Sequence, residues 1–157
     1  MKLKSLVTVS AILFTFSFCN ASFNKENKPA PTQNNENNNI STRKMKITIG
    51  TTVFTATLYD NPSAAALKAM PPLTINMTEL NGNEKYYDFP DPLPTNASVG
   101  GDIKAGDLML YGNNVLVLFY KSFNTSYRYT KLGCVDNPAG LAAALGAGNL
   151  VVKFENN

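Results

Sequence analysis

From Met45 onward the chain alternates apolar and polar residues in short runs, and glycine, asparagine or proline cuts off each run. Period two puts successive side chains on opposite faces of a strand, so such runs form half-buried β-structure and do not suit helices. Met45, Ile47 and Ile49 alternate with Lys46 and Thr48; after Gly50, Phe54, Ala56 and Leu58 alternate with Thr55 and Thr57. Two such runs around a glycine-containing turn predict a hairpin. Leu73, Ile75 and Met77 resume the alternation, Asn81-Gly82 signals a turn, and Lys85 to Phe89 follows as a candidate strand. Gly112-Asn113-Asn114 separates Leu108–Tyr111 from Val115–Tyr120 in the clearest hairpin of the chain. The second of these runs is apolar without a break, which predicts a central strand buried on both faces. Tyr129 to Val135 and Leu150 to Phe154 complete the strands.

Two short helices interrupt this pattern. Asn61-Pro62 supplies a side-chain cap and a first-turn proline, and Ala64 to Met70 continue until Pro71-Pro72 stops the helix. Asn137-Pro138 repeats the device before a helix through Leu141 and Leu145 that ends at Gly146-Ala147-Gly148. Pro90 to Lys104, with three prolines and the pair Gly100-Gly101, reads as a surface loop. The expected fold class is therefore mainly β, a small closed or nearly closed β-barrel of about eight strands with two short helices over residues 45–157.

The preceding residues read as an address and a spacer. Lys2 and Lys4 precede the apolar run Leu6 to Phe18, which at thirteen residues falls short of the about 20 a bilayer-spanning helix needs. Residues 1–21 thus resemble a bacterial secretory signal, with two exits. Cys19-Asn20-Ala21 suits ordinary signal peptidase; alternatively Cys19, directly after the apolar run, is the lipidated residue of a lipoprotein, although Phe18 stands where something small is usual. Residues 22–44 hold seven Asn, two Pro and almost nothing apolar, a composition that cannot offset the entropy of ordering. A polar tether after Cys19 favours the lipoprotein exit; a frayed tail of a secreted protein has the same composition. The expected localisation is the bacterial cell envelope, either periplasmic or membrane-anchored.

Charge and composition then exclude whole classes of chemistry. The formal net charge is +3, but from Met45 onward eight basic residues face nine acidic ones, near −1. No clustered basic patch remains for nucleic acid. The chain has no His and no Trp, which removes Ser-His-Asp and Cys-His nucleophile systems and His-ligated zinc. Either exit leaves Cys134 without an intramolecular partner, so it reads as a small apolar residue of a strand. No metal, cofactor or catalytic residue is assigned. Asp88 and Asp91, like Asp102 and Asp107, look like turn chemistry rather than a paired-carboxylate site.

The order strand, strand, Asn-Pro-capped helix, proline stop, then Gly82-Asn83-Glu84-Lys85-Tyr86 resembles the bacterial cyclophilin-like domains. Gly106-Asp107-Leu108, Leu118-Phe119-Tyr120 and the stretch Tyr127-Arg128-Tyr129-Thr130-Lys131-Leu132-Gly133 extend the resemblance over residues 45–155. It implies a cyclophilin-like asymmetric closed barrel with a helix at each end. True cyclophilins are prolyl isomerases whose groove sets an arginine, on the strand after the first helix, beside phenylalanine, glutamine, tryptophan and histidine. The matching strand here, Leu73 to Thr78, has no Arg. An X-Pro barrier of about 18–20 kcal/mol falls only if something donates to the amide in a desolvated pocket.

The resemblance also places several of the seven tyrosines on groove strands, where an apolar body with a polar tip suits a ligand. The candidate ligand-binding residues are Glu84, Tyr86, Tyr120, Tyr127 and Arg128. Against them stands the plainer reading, in which the tyrosines are barrel residues with hydroxyls at the rim and Glu84-Lys85 is an exposed ion pair worth about 0–1 kcal/mol. The expected function is a non-catalytic binding module for a small ligand or peptide, bound to no nucleic acid and reaching the membrane through its lipid anchor. A weak peptidyl-prolyl cis-trans isomerase is the alternative.

Overall fold

Alternation in the sequence becomes alternation in burial. The computed structural model describes residues 43–70 and 72–157; the signal segment with Cys19, and the tether up to residue 42, lie outside the described residues. β1 (Lys44–Ile49) buries Met45, Ile47 and Ile49, and β2 (Thr52–Leu58) buries Phe54, Ala56 and Leu58. Ile49 pairs with Thr52 across the turn, giving the expected hairpin. Lys44, assigned from sequence to the tether, is the first residue of β1, and its ammonium reaches Thr57 Oγ1 at 2.6 Å and Asp136 at 2.9 Å.

Helix α1 (Pro62–Ala69) forms as its cap predicts: Asn61 Oδ1 accepts from the Ala64 N–H at 2.9 Å. β3 (Leu73–Leu80) and β4 (Glu84–Asp88) follow, joined at Asn81 and Gly82, both with positive φ. β6 (Asp107–Tyr111) and β7 (Val115–Phe119) are the second expected hairpin. Leu116 and Leu118 of β7 enter the main core, whereas Val117 and Phe119 enter a second cluster on the opposite face. This strand is buried on both sides, as its unbroken apolar run requires.

Two local expectations are corrected. Ser98–Ile103, placed in a surface loop, forms β5 and pairs antiparallel with the first half of β8 (Phe123–Val135). Its glycines hid it: a Cβ at Gly100 would stand 2.9 Å from Thr125 Cγ2 and 3.1 Å from Tyr129 Cδ2, so β5 lies this close only because that side chain is missing. Asn137 does not cap the second helix. Its side chain accepts from the Ala139 N–H in a local turn, and α2 (Leu141–Leu145) starts from Gly140 in the left-handed region instead. β9 (Leu150–Asn156) closes the chain.

All pairings are antiparallel, and the strand order is β2-β1-β9-β3-β4-β7-β6-β8-β5. Ala56, Thr57 and Leu58 of β2 also pair with Val135, Cys134 and Gly133 of β8. That pairing closes eight strands into a ring and leaves β5 outside it, so the expected mainly β architecture of about eight strands in a closed arrangement holds. Closure needs Gly133, where a Cβ would meet the Thr57 carbonyl oxygen at 2.5 Å. Apolar side chains of β1, β2, β3, β6, β7, β8 and β9, with Leu67 of α1 and Leu141 and Leu145 of α2, form the main core.

One charge enters this interior. Lys85 of β4 has no exposed surface, contrary to its reading as half of an exposed pair with Glu84. Its ammonium pairs with Glu79 of β3 and donates to the carbonyls of Gly146 at 2.9 Å and Gly148 at 2.6 Å. The ammonium thus satisfies the carbonyls of the α2–β9 connection, which would otherwise be orphaned at a helix C-terminus. A buried ion pair broken on one side leaves an uncompensated charge. Lys85→Met is expected to cost about 3–5 kcal/mol in urea unfolding, with part of that recovered when Glu79→Gln is added.

Candidate functional site

Strand parity builds a groove on the outer face of the ring. Because Lys85 and its register partner Leu118 are buried in the ring, Glu84, Tyr86 and Asp88 face outward beside Phe119, Val117 and Val115. The first half of β8 runs across from them and presents Thr125, Tyr127 and Tyr129, again two residues apart, with Tyr111 of β6 between the walls. The cavity so enclosed has a volume of about 410 Å³, within the range of small-molecule sites. Val117, Tyr129 and Phe123 of its lining also belong to or pack against the outer hydrophobic cluster with Ile103, Met109 and Phe119.

The rings interlock. Tyr111 stands edge-on to Tyr127 with centroids 6.2 Å apart and tilted to Tyr129 at 5.6 Å; Phe119 meets Tyr129 at 5.5 Å and Phe123 at 5.5 Å. Edge-to-face contacts of this kind fix ring orientation as well as burying area. Tyr127 is nonetheless 65% exposed, so the mouth of the groove carries an aromatic face open to an incoming molecule.

A carboxyl lies at one end of this aromatic wall. Glu84 is only 8% exposed, and no described residue donates a hydrogen bond to it. Burial, and then the negative charge of Glu79, push its carboxyl above the ordinary carboxylate value. Burial and the field of Glu84 push the Tyr129 phenol up to about 12, with Tyr111 and Tyr127 adding to the shift. Glu79 is its opposite. Burial works to raise it, but hydrogen bonds from Lys85, Tyr120 and the Gly82 N–H, together with the Lys85 charge, hold it low. Asn83, between Gly82 and Glu84, also lines the cavity, and its Oδ1 is buried without a partner. Neither Lys nor Arg lines the cavity.

Of the residues singled out from sequence, Glu84, Tyr86 and Tyr127 meet in this groove. Tyr120 does not: it belongs to the main core, its hydroxyl donates to Glu79 Oε1 at 2.8 Å, and burial with that bond raises it to about 12. Arg128 does not either. Its guanidinium donates to the Ala97 carbonyl, so it does not stand beside Glu84 at a barrel mouth. Tyr127 lines the groove and Arg128, next to it in β8, does not. Sequence reasoning missed Asn83, Tyr111, Val117, Phe123 and Tyr129; the spacing Thr125, Tyr127, Tyr129 was the available signal for the last.

A second cavity of about 390 Å³ lies beside Asn61, Ser63, Thr130 and Lys131, but its polar groups already serve the fold. Ser63 Oγ donates to the Pro94 carbonyl, Thr130 Oγ1 accepts from the Asn96 N–H, and Asn61 Nδ2 donates to the Lys131 carbonyl. Among the described residues no group of three or more Cys, Asp and Glu side chains could hold a metal ion.

A model of the cyclophilin-like family matches residues 47–155. No curated protein and no solved structure gives a significant match.

The unpaired carboxyl makes a stability prediction. The folded state raises the Glu84 value, so protonated Glu84 favours the fold and that contribution is lost as pH rises through the raised value. At neutral pH the ionised group is therefore a liability, increased by Glu79 and opposed by no cation in the groove. Glu84→Gln is expected to raise the urea midpoint at pH 7, and the gain should shrink to nothing as pH falls below the ordinary carboxylate range.

Proposed function

The chain belongs to the cyclophilin-like family, and we propose that it serves as a non-catalytic module that binds a small organic ligand in the outer groove. The observation that carries this reading is an open aromatic cavity lined by the largely buried Glu84, whose carboxyl receives no hydrogen bond from a described residue. Buried polar groups are otherwise satisfied, and exceptions at a concave site favour a bound molecule as the missing partner. Phenol rings and two carboxyls recognise and orient, and no arginine lines the groove to polarise an X-Pro amide. Arg128, between Tyr127 and Tyr129 in sequence, is spent on the Ala97 carbonyl. The envelope location rests on the leader alone, with Cys19 as the acylated residue that would anchor the domain through its tether.

Single-ring aromatic fragments, followed by backbone amide shifts, test the groove. Shifts should concentrate at Tyr86, Val117, Thr125 and Tyr127, and Tyr127→Ala should weaken binding about fivefold, the scale of one aromatic contact. Shifts confined to the Ser63 cavity would place the site elsewhere. Proline-peptide isomerisation should run at its uncatalysed rate; a catalysed rate abolished by Arg128→Ala would establish the isomerase in place of the binding module. Expressed from its full sequence in a bacterial host, the protein should partition into detergent, and Cys19→Ala should move it to the aqueous phase.

A further inference from the structure

We propose that the groove takes an organic ammonium ion, a protonated primary or secondary amine carried on an apolar body. The inference rests on the groove-binding reading above and names the chemistry of the occupant. Three independent features of the cavity converge on it.

The first is sign. Its charged lining residues are Glu84 and Asp88, and no Lys or Arg joins them. Glu79 adds its field from behind Glu84. An anionic ligand would meet like charge in a desolvated site, where such repulsion is poorly screened. A neutral ligand would displace water from Glu84 and put nothing in its place, which makes a buried carboxylate more costly still.

The second is hydrogen bonding. Glu84 is more than nine-tenths buried with no donor directed at it, and Asn83 Oδ1 is buried with none either. A carboxylate lining a cavity with no protein donor calls for a guest that donates a hydrogen bond and carries positive charge. A primary or secondary ammonium does both. A quaternary ammonium supplies the charge without the N–H groups, so it leaves the Glu84 carboxylate without a donor.

The third is the wall. Tyr86, Tyr111, Tyr127 and Tyr129 line the same cavity as Glu84, and the negative faces of such rings attract a cation while their area buries the apolar body. A hydrated metal ion finds neither enough oxygen ligands here nor a polar lining.

Titration of the full chain with phenethylammonium, 2-phenylethanol and phenylacetate, which share one ring and differ in the head group, tests the inference. The ammonium should bind at least tenfold more tightly than the alcohol, and the acid should not bind. Glu84→Gln should abolish the preference for the ammonium over the alcohol. The N-trimethylated analogue should bind more weakly than its parent; equal or tighter binding would overturn the requirement for N–H donors. An alcohol that shifts the groove amides and binds as well as the ammonium would overturn the cation while leaving the groove reading intact. Ammonium binding left unchanged by Glu84→Gln would overturn the cation in the same way. If none of these probes shifts the groove amides, both readings fall.

Discussion

A lysine ammonium with no exposed surface holds the strands, and through them the groove, in place. Lys85 pairs with Glu79 of the neighbouring β3 and reaches into the α2–β9 connection at Gly146 and Gly148, so one side chain ties the β3–β4 hairpin to a segment distant in sequence. Burial of a charge is costly unless it is paired and fully hydrogen-bonded, and here it is both. The pairing also fixes parity. Side chains alternate along a strand, and a one-residue slip of β4 would exchange its two faces. Lys85 inward obliges Glu84 and Tyr86 to face outward. The groove is thus the other side of the same register decision.

The contrast between two neighbouring glutamates follows from this arrangement. Glu79 receives Lys85, Tyr120 and the Gly82 N–H, and its carboxyl is held low despite burial. Glu84, one strand away on the opposite face, is buried to a similar end with no donor, and its carboxyl is held high. Glu79 is committed to the fold. Glu84 contributes repulsion to it, the kind of local inconsistency that binding sites retain at a cost in stability.

Much of the ring could be read from the sequence because its signals are local. The hairpin around Gly50, the Asn61-Pro62 cap, the Asn81-Gly82 turn and the doubly buried strand from Val115 each depend on neighbours within a few residues. β5 could not be read that way: Gly100 and Gly101 carry no side-chain pattern, and the role of Gly100 lies in how closely it approaches Thr125 and Tyr129. Asn137-Pro138 repeats the motif that caps α1, yet a bond to the Ala139 N–H diverts it into a turn. For the site, Glu84, Tyr86 and Tyr127 were legible as polar or amphipathic residues on strands expected to line a groove. Tyr120 and Arg128 were not separable from them by residue type, since one is drawn to Glu79 and the other to a backbone carbonyl distant in sequence. The burial of Lys85 had no sequence signal at all.

β8 is a single strand of thirteen residues with two tasks in series. Its last residues, Gly133 to Val135, close the ring on β2, while Thr125, Tyr127 and Tyr129 form a wall of the groove. No loop separates the two halves, and β5 and β6 brace the strand on either side. The wall is therefore held by two flanking ladders, each with one register shift, and does not hang on a loop. The groove works as a gauge rather than a clamp: its width is set when the ring closes, so a guest must match a fixed opening, and little ordering of the backbone remains to be done when it arrives.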